Sequence, residues 1–294
     1  MIDLHAHTTE SDGTSTPEEL IELAVSIGLE ALAITDHDTF AGYELAAPFA
    51  QNRNLDLVRG IELSTKAASK GSRHARSVHV LAYFLNGPPA PAFLSWIEAL
   101  LASRRERNRR LVQKLNEAGV RITLEEVEAM GRRLTGRPHF ARLLVKKGYV
   151  VTLEEAFRRY LGEEAPSFVE RDSPDIEEAI SVVADGGGLS VIAHPVRLGI
   201  RDAAREEEFI GRLAAAGMRG IEVWHSDQSA ADSERYLRYA EKFELIPTGG
   251  TDFHGGNKPG LLLGTGRDGT MNVPRTVLDH MRAVAESRLL HLDG

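Results

Sequence analysis

The sequence predicts an α/β fold, a seven-stranded (β/α) barrel interrupted by an all-helical insertion. Three observations lead there. Short apolar runs alternate with stretches of helical periodicity, which implies parallel strands with helices packed outside them. Histidines and carboxylates punctuate the C-terminal ends of nearly every strand, and a closed ring brings them to one centre, which favours a barrel over the alternative of an open doubly wound sheet. The rhythm breaks at Pro88 and resumes near residue 171, so residues 1–89 and 171–294 read as the barrel and 90–170 as the insertion.

Strand one is the short apolar start that runs into His5-Ala-His7, followed by Asp12. Thr16-Pro17-Glu18-Glu19 forms a capping box with proline at the first helical position, and Leu20, Leu23, Ala24 and Ile27 recur at helical spacing up to Gly28. Ala31–Thr35 reads as a buried strand ending in Asp36-His37-Asp38. Leu55–Ile61 is a third strand and ends in Glu62. Val78–Tyr83 is a fourth and carries His79, with a loop or hairpin over the polar stretch Lys66–Arg76. In the insertion, Phe93, Trp96, Ile97, Leu100 and Leu101 mark a long helix reaching Ala118. Capping boxes follow at Thr123/Glu126 and Thr152/Glu155, and Gly136-Arg-Pro-His139 lies between them. A helix near residues 173–186 returns the chain to strand five, Leu189–Ala193, which His194-Pro195 stops. Strand six is Gly220–Trp224 and strand seven Leu245–Thr248, each preceded by a helix. Strand seven opens into Gly250-Thr-Asp252-Phe-His254, and a last helix follows Val273. All seven strands are expected to be parallel.

The 294 residues contain no cysteine, which excludes disulfides, thiolate metal sites and a cysteine nucleophile. No apolar run approaches the roughly 20 residues that span a bilayer, and no leader segment is read at the start, so a cytoplasmic protein is expected. The net charge of −8 argues against a generic nucleic-acid binder. Its distribution says more: residues 98–160 hold 15 Lys+Arg against 8 Asp+Glu, a balance of +7 that leaves −15 for the rest. A solvated helical face accounts for many of these arginines; a basic cap over an anionic substrate accounts for their concentration.

The candidate metal ligands are His5, His7, Asp12, His37, Glu62, His79, His194, Asp252 and His254. Alternate residues of a strand share one side, so His5 and His7 can reach one ion. Six imidazoles and three carboxylates exceed one coordination shell, so two or three divalent ions are expected, with Glu62 as the bridge. Imidazole and carboxylate donors together suit zinc, manganese or iron rather than calcium or magnesium alone; manganese is the expected ion, with zinc, iron or magnesium as alternatives. His74, His225, His280 and His291 are assigned no role.

Together, His5-Ala-His7 with Asp12, Ile34-Thr-Asp-His37, Gly60-Ile-Glu62, His194-Pro195 and Gly250-Thr-Asp-Phe-His254 resemble the motifs of the PHP (polymerase and histidinol phosphatase) family, over nearly the whole chain. The chain has Ala82 where that family's pattern has glycine. The resemblance implies a distorted barrel and a trinuclear site. His5, His7, Glu62 and Asp252 would hold one ion, Glu62, His79 and His194 a second, and Asp12, His37 and His254 a third. The insertion is similar to that of the stand-alone phosphoesterases acting on 3′,5′-bisphosphorylated nucleosides, some relatives of which trim short RNA from the 5′ end. By that resemblance Arg137, His139 and Arg197 would lie near the substrate.

The expected chemistry is attack on phosphorus by a water bridged between metals, with no protein nucleophile, since neither a nucleophile elbow nor a Walker loop is present. The expected partner is a nucleotide or short RNA, with no stable protein partner evident. A histidinol-phosphate phosphatase would share the metal set but has no use for the basic insertion. A non-catalytic metal-binding module would lack ligands, and here none is lacking. A broad amidohydrolase leaves the surplus arginines unexplained.

Overall fold

A computed structural model describes residues 1–68, 75–131 and 135–292, with side chains up to residue 287. Seven strands, β1 (Ile2–Ala6), β2 (Ala31–Ile34), β3 (Asp56–Ala67), β4 (Arg76–Tyr83), β5 (Leu189–Ile192), β6 (Gly220–His225) and β7 (Ile246–Gly250), follow one another in spatial as in sequence order. The ends of β7 and β1 meet through His7 N donating to Phe253 O at 2.9 Å and Asp252 N to His5 O at 2.8 Å, so the sheet is a nearly closed barrel. A Cβ on Gly250 would collide with the His5 backbone; this approach needs glycine.

The expectation of seven parallel strands is corrected at β4, which runs antiparallel to both β3 and β5. A parallel neighbour needs a crossover of a dozen or more residues. The segment between Ala67 and Arg76 is too short for one, so β3 overshoots Glu62 and the chain turns back. This overshoot brings His79, paired in register with Ser64, beside Glu62 although it sits mid-strand.

Ten helices are described. Helix α1 (Pro17–Ser26) starts at the Thr16/Glu19 capping box. Helix α2 (Ala41–Ala50) went unread in the sequence because Gly42 and Pro48 disguise it. Between β4 and β5 lie α3 (Pro91–Glu117), α4 (Leu124–Glu128), α5 (Arg137–Lys146), α6 (Leu153–Ala156) with a π-helical extension over Phe157–Leu161, and α7 (Ile176–Asp185). Thr123 and Glu126 form their box; at Thr152 it is only half made, since Glu155 accepts from Val151 N instead. The first half of α3 packs Phe93, Ile97 and Leu100 into the barrel's apolar cluster. Its second half contributes Leu111 and Leu115 to a separate cluster with Val127, Phe140, Leu144 and Leu161. Helices α8 (Ala203–Ala215) and α9 (Ala230–Lys242) flank β6. Helix α10 (Arg275–Leu292) packs Val277, Leu278 and Met281 with Ile2, Ala31, Leu189 and Ile246, plugging the end where the parallel strands begin and leaving the opposite end to the polar residues. No helix among the described residues is long and apolar enough to cross a membrane.

Asp56 clasps α10 to the barrel: Arg282 donates through both terminal nitrogens at 2.8 and 2.7 Å, and Arg275 adds a bond at 2.5 Å. Burial opposes the carboxylate, but Arg282 and Arg275 outweigh it and hold its pKa below the usual value. A depressed carboxyl stabilises above the unfolded pKa, about 3.9, and this is lost as pH falls through the folded value. Asp56→Asn should therefore cost about 1 kcal/mol at pH 7 after solvent screening, a few degrees in Tm, with variant and wild type converging as pH falls through the folded value. Equal melting at pH 7 would mean that the clasp contributes nothing.

Candidate metal centre

All nine residues singled out in the sequence converge at the open end of the barrel. Glu62, 1% exposed, is the hub. Its Oε2 lies 3.1 Å from His7 Nε2, 3.1 Å from His37 Nδ1 and 3.5 Å from His5 Nε2. Its Oε1 lies 2.8 Å from His79 Nδ1 and 3.0 Å from His194 Nε2. Asp252 Oδ1 stands 3.5 Å from His5 Nε2 and 3.3 Å from both His7 Nε2 and His254 Nδ1. Asp12 reaches His254 Nε2 at 3.1 Å and His37 Nε2 at 3.8 Å.

Among the described residues the donor atoms form four sets, each within 4.8 Å: His5, His7, Glu62 and Asp252; His37, Glu62 and His79; His7, Asp12, His37 and His254; and His5, Glu222 and His225. The first coincides with the grouping expected from resemblance. The second differs from expectation: His37, not His194, groups with Glu62 and His79, and His194 belongs to none of the sets although its Nε2 lies 3.0 Å from Glu62 Oε1; in the third His7 joins Asp12, His37 and His254. Three non-glycine residues at strand ends have positive φ, namely Asp38 (+50°), His194 (+29°) and Asp252 (+56°). Such strain is retained where the surroundings dictate the direction of a side chain.

These residues fit divalent cations. Nε2 of His5, Nε2 of His7 and Nδ1 of His37 are buried with no aligned hydrogen bond, although carboxylate oxygens stand close by. Atoms so arranged converge on shared points rather than on one another. Burial pushes His37 down to about 3 and His194 to about 4, leaving both as neutral donors. Burial also opposes charge on His5 and His7. There the carboxylates win: Glu222, Asp252 and Glu62 hold His5 well above its usual value, and Asp252 and Glu62 bring His7 to about 9. Protons thus supply positive charge that a metal ion would replace.

Sequence reasoning passed over the residues that support this cluster. Glu222, fully buried on β6, accepts from His5 Nδ1 at 3.0 Å and from the His194 backbone N–H at 2.6 Å, so one carboxylate orients the His5 imidazole and fixes the main chain that carries His194. The tripeptide Gly220-Ile-Glu222 repeats Gly60-Ile-Glu62, a signal that was there to find. His225, assigned no role, is buried with Nε2 3.5 Å from Asp252 Oδ2. Asp36 is buried too and holds the loop after His7 through Thr8 N at 2.7 Å and Thr8 Oγ1 at 2.6 Å. His280 is exposed on α10, His74 lies outside the described residues, and His291 falls where no side chain is described.

A cavity of about 350 Å³ opens beside the cluster, bounded by Asp12, His37 and His79 on one side and by Arg104, Arg107, Arg137, His139 and Arg171 on the other. Arg137 opens α5, with its guanidinium 5.7 Å from the Phe168 ring. His139 Nδ1 accepts from Gly136 N at 3.2 Å, and burial brings this imidazole down to about 4. The neutral ring therefore carries its proton on Nε2 as a donor in the cavity wall. Arg197 is elsewhere. It flanks the cluster, bonded to Asp252 Oδ2 at 2.8 Å and Asp227 Oδ2 at 2.9 Å, next to Lys258 on the same Asp252 oxygen.

Comparison with known proteins agrees with this geometry. The PHP domain model matches residues 3–158. The chain is 32% identical over 252 residues to a 5′-3′ exoribonuclease of Haemophilus influenzae, covering 86% of this chain and 89% of that protein. It is 32% identical over 271 residues to a 3′,5′-nucleoside bisphosphate phosphatase of Chromobacterium violaceum, covering 91% and 92%. A solved metal-dependent phosphoesterase from Bifidobacterium adolescentis superposes with a TM-score of 0.78 at 31% identity, over 95% of this chain and 94% of that one.

Proposed function

The chain belongs to the PHP domain family, and within that family we propose that it removes the 3′-phosphate of nucleoside 3′,5′-bisphosphates. It is a metal-dependent phosphoesterase, hence a hydrolase. The observation that carries the substrate is the adjacency of the ligand cluster to a cavity walled by four arginines. A scissile phosphate would sit at the cluster and a second phosphate among the guanidiniums. Water adds to phosphorus, the bond to the ribose 3′-oxygen breaks, and that oxygen takes a proton. The products are nucleoside 5′-monophosphate and phosphate.

In this reading His5, His7, Glu62 and Asp252 would hold one ion. Glu62, His79 and His194, with His37 adjacent, would hold a second, and Asp12, His37 and His254 a third. Bound divalent ions, manganese first among them, supply Lewis-acid activation of water and offset charge on the phosphoryl oxygens. The chain's own part is positioning. Glu222 fixes the His5 ring, Asp36 fixes the loop bearing Ser11 and Asp12, and His139 offers its Nε2 proton to a substrate oxygen. Arg197 and Lys258 stay paired with Asp252 at the flank. A second reading, removal of 5′-terminal nucleotides from short RNA, is favoured by the relative that carries the exoribonuclease name.

Arg137→Ala tests the substrate. An arginine fork on a phosphate forms charge-assisted bonds, and remote binding energy orients the reacting group. We expect kcat/KM for adenosine 3′,5′-bisphosphate to fall by about 10- to 100-fold, roughly 1.4–2.7 kcal/mol, with little change for p-nitrophenyl phosphate. Equal losses on both would move Arg137 to the scissile phosphate, and no loss on either would make it a surface helix-start residue.

A further inference from the structure

The arginine wall is organised around a carboxylate that faces away from the metal ligands. Asp38 is fully buried, directly after His37, in a left-handed conformation that only strong local constraints maintain. Its Oδ1 accepts from Ser64 N at 2.9 Å. Its Oδ2 accepts from Ser64 Oγ at 3.1 Å, from Arg171 at 3.0 Å and from Arg104. Its own N–H donates to Glu62 O at 3.0 Å. One residue thus joins the loop carrying His37, strand β3 at Glu62 and Ser64, helix α3 through Arg104, and the approach to α7 through Arg171.

The charges do not balance. One carboxylate faces two guanidiniums, and Arg107, one turn along α3 from Arg104, adds a third. Arg107 is only 6% exposed and has no hydrogen bond or ion pair among the described residues. The Nε atoms of Arg104, Arg107 and Arg171 are all buried and unbonded. The carboxylates of Glu163 and Glu170 stand exposed at the rim. A largely buried guanidinium without an anionic partner is costly, and an anion in the cavity would offset that cost. Three forked donors around one cavity match a phosphate dianion better than a single carboxylate.

We infer that Asp38 is a positioning residue: it holds Arg104 and Arg171 as the walls of a receptor for a phosphate dianion centred on Arg107, and it ties that receptor to the loop bearing His37. The inference rests on the reading that the substrate carries a phosphate remote from the scissile one. The receptor then sets the distance between remote phosphate and metal cluster, and so the kind of substrate that reacts.

Asp38→Asn and Arg107→Ala would each be assayed on a nucleoside 3′,5′-bisphosphate and on the matching nucleoside 3′-monophosphate. Metal content and melting temperature would be measured alongside, and binding of the nucleoside 5′-monophosphate to metal-stripped protein would be followed by calorimetry. Both variants should raise KM for the bisphosphate by about 10-fold or more, affect the monophosphate reaction by a clearly smaller factor, and weaken 5′-monophosphate binding about 10-fold. If Asp38→Asn folds poorly, Ser64→Ala, which removes one donor and keeps the charge, should show a smaller shift in the same direction. Selective loss in Arg107→Ala combined with equal losses on both substrates in Asp38→Asn would overturn the role of Asp38 while sparing the substrate reading. A wild type that does not prefer the bisphosphate, with Arg107→Ala moving neither substrate, would instead sink the substrate reading and the receptor with it.

Discussion

Glu62→Gln should reduce kcat/KM by about 10³-fold or more and leave the purified protein depleted of metal. The carboxylate lies within 3.5 Å of five imidazoles, and its two oxygens divide them, His5, His7 and His37 on one and His79 and His194 on the other. Glutamine keeps the shape but removes the charge and turns one acceptor into a donor aimed at ligand nitrogens. A shared ligand serves two ions, so its loss weakens both together. Electrostatic stabilisation by such ions is worth several kcal/mol, and about 4 kcal/mol is already a factor near 10³. His280→Ala, on the exposed face of α10, is the control and should stay near wild type. If Glu62→Gln retains wild-type turnover and metal, the carboxylate is not a bridge.

Metal removal should have the other large effect. The loaded protein is expected to hold at least two ions per chain, and chelation should abolish turnover and lower the melting temperature. A site occupied at a thousand times its Kd contributes about 4 kcal/mol by mass action. The pH dependence follows from the raised imidazoles. With His5 held well above the usual value and His7 at about 9, the metal-free cluster carries both protons at neutral pH. A cation must displace them, so loading at pH 7 should release about two protons, and affinity should rise as pH increases toward 9. Calorimetry in buffers of different ionisation enthalpy reads this directly. A single ion per chain would contradict the multinuclear arrangement, and an affinity flat between pH 6 and 9 would mean that His5 and His7 hold no protons for the metal to displace.

The melting of Asp56→Asn probes a part of the molecule separate from the one that the substrate split of Arg137→Ala and the paired test of Asp38 and Arg107 share. The first lies at the plugged end of the barrel, the others in the basic wall beside the cluster.

What could be read from the chain and what could not divide along a physical line. The nine ligand-type residues were legible because each sits in a local pattern that its chemistry demands: a two-residue period at His5 and His7, a carboxylate ending the apolar run at Glu62, a proline stopping the strand after His194. The barrel followed from the alternation of periods along one dimension. Strand direction did not, since alternation of side chains reads the same both ways, and only the short β3–β4 connection decided that β4 is antiparallel. The supporting residues were hidden for another reason. Asp38 meets Arg104 across 66 positions and Arg171 across 133, and Glu222 meets His5 across 217. Arg107 in sequence is one of many arginines on a charged helix, indistinguishable from a solvated face. Its burial without a partner exists only once α3 lies against the barrel mouth, because desolvation is a property of the packed structure and not of the residue.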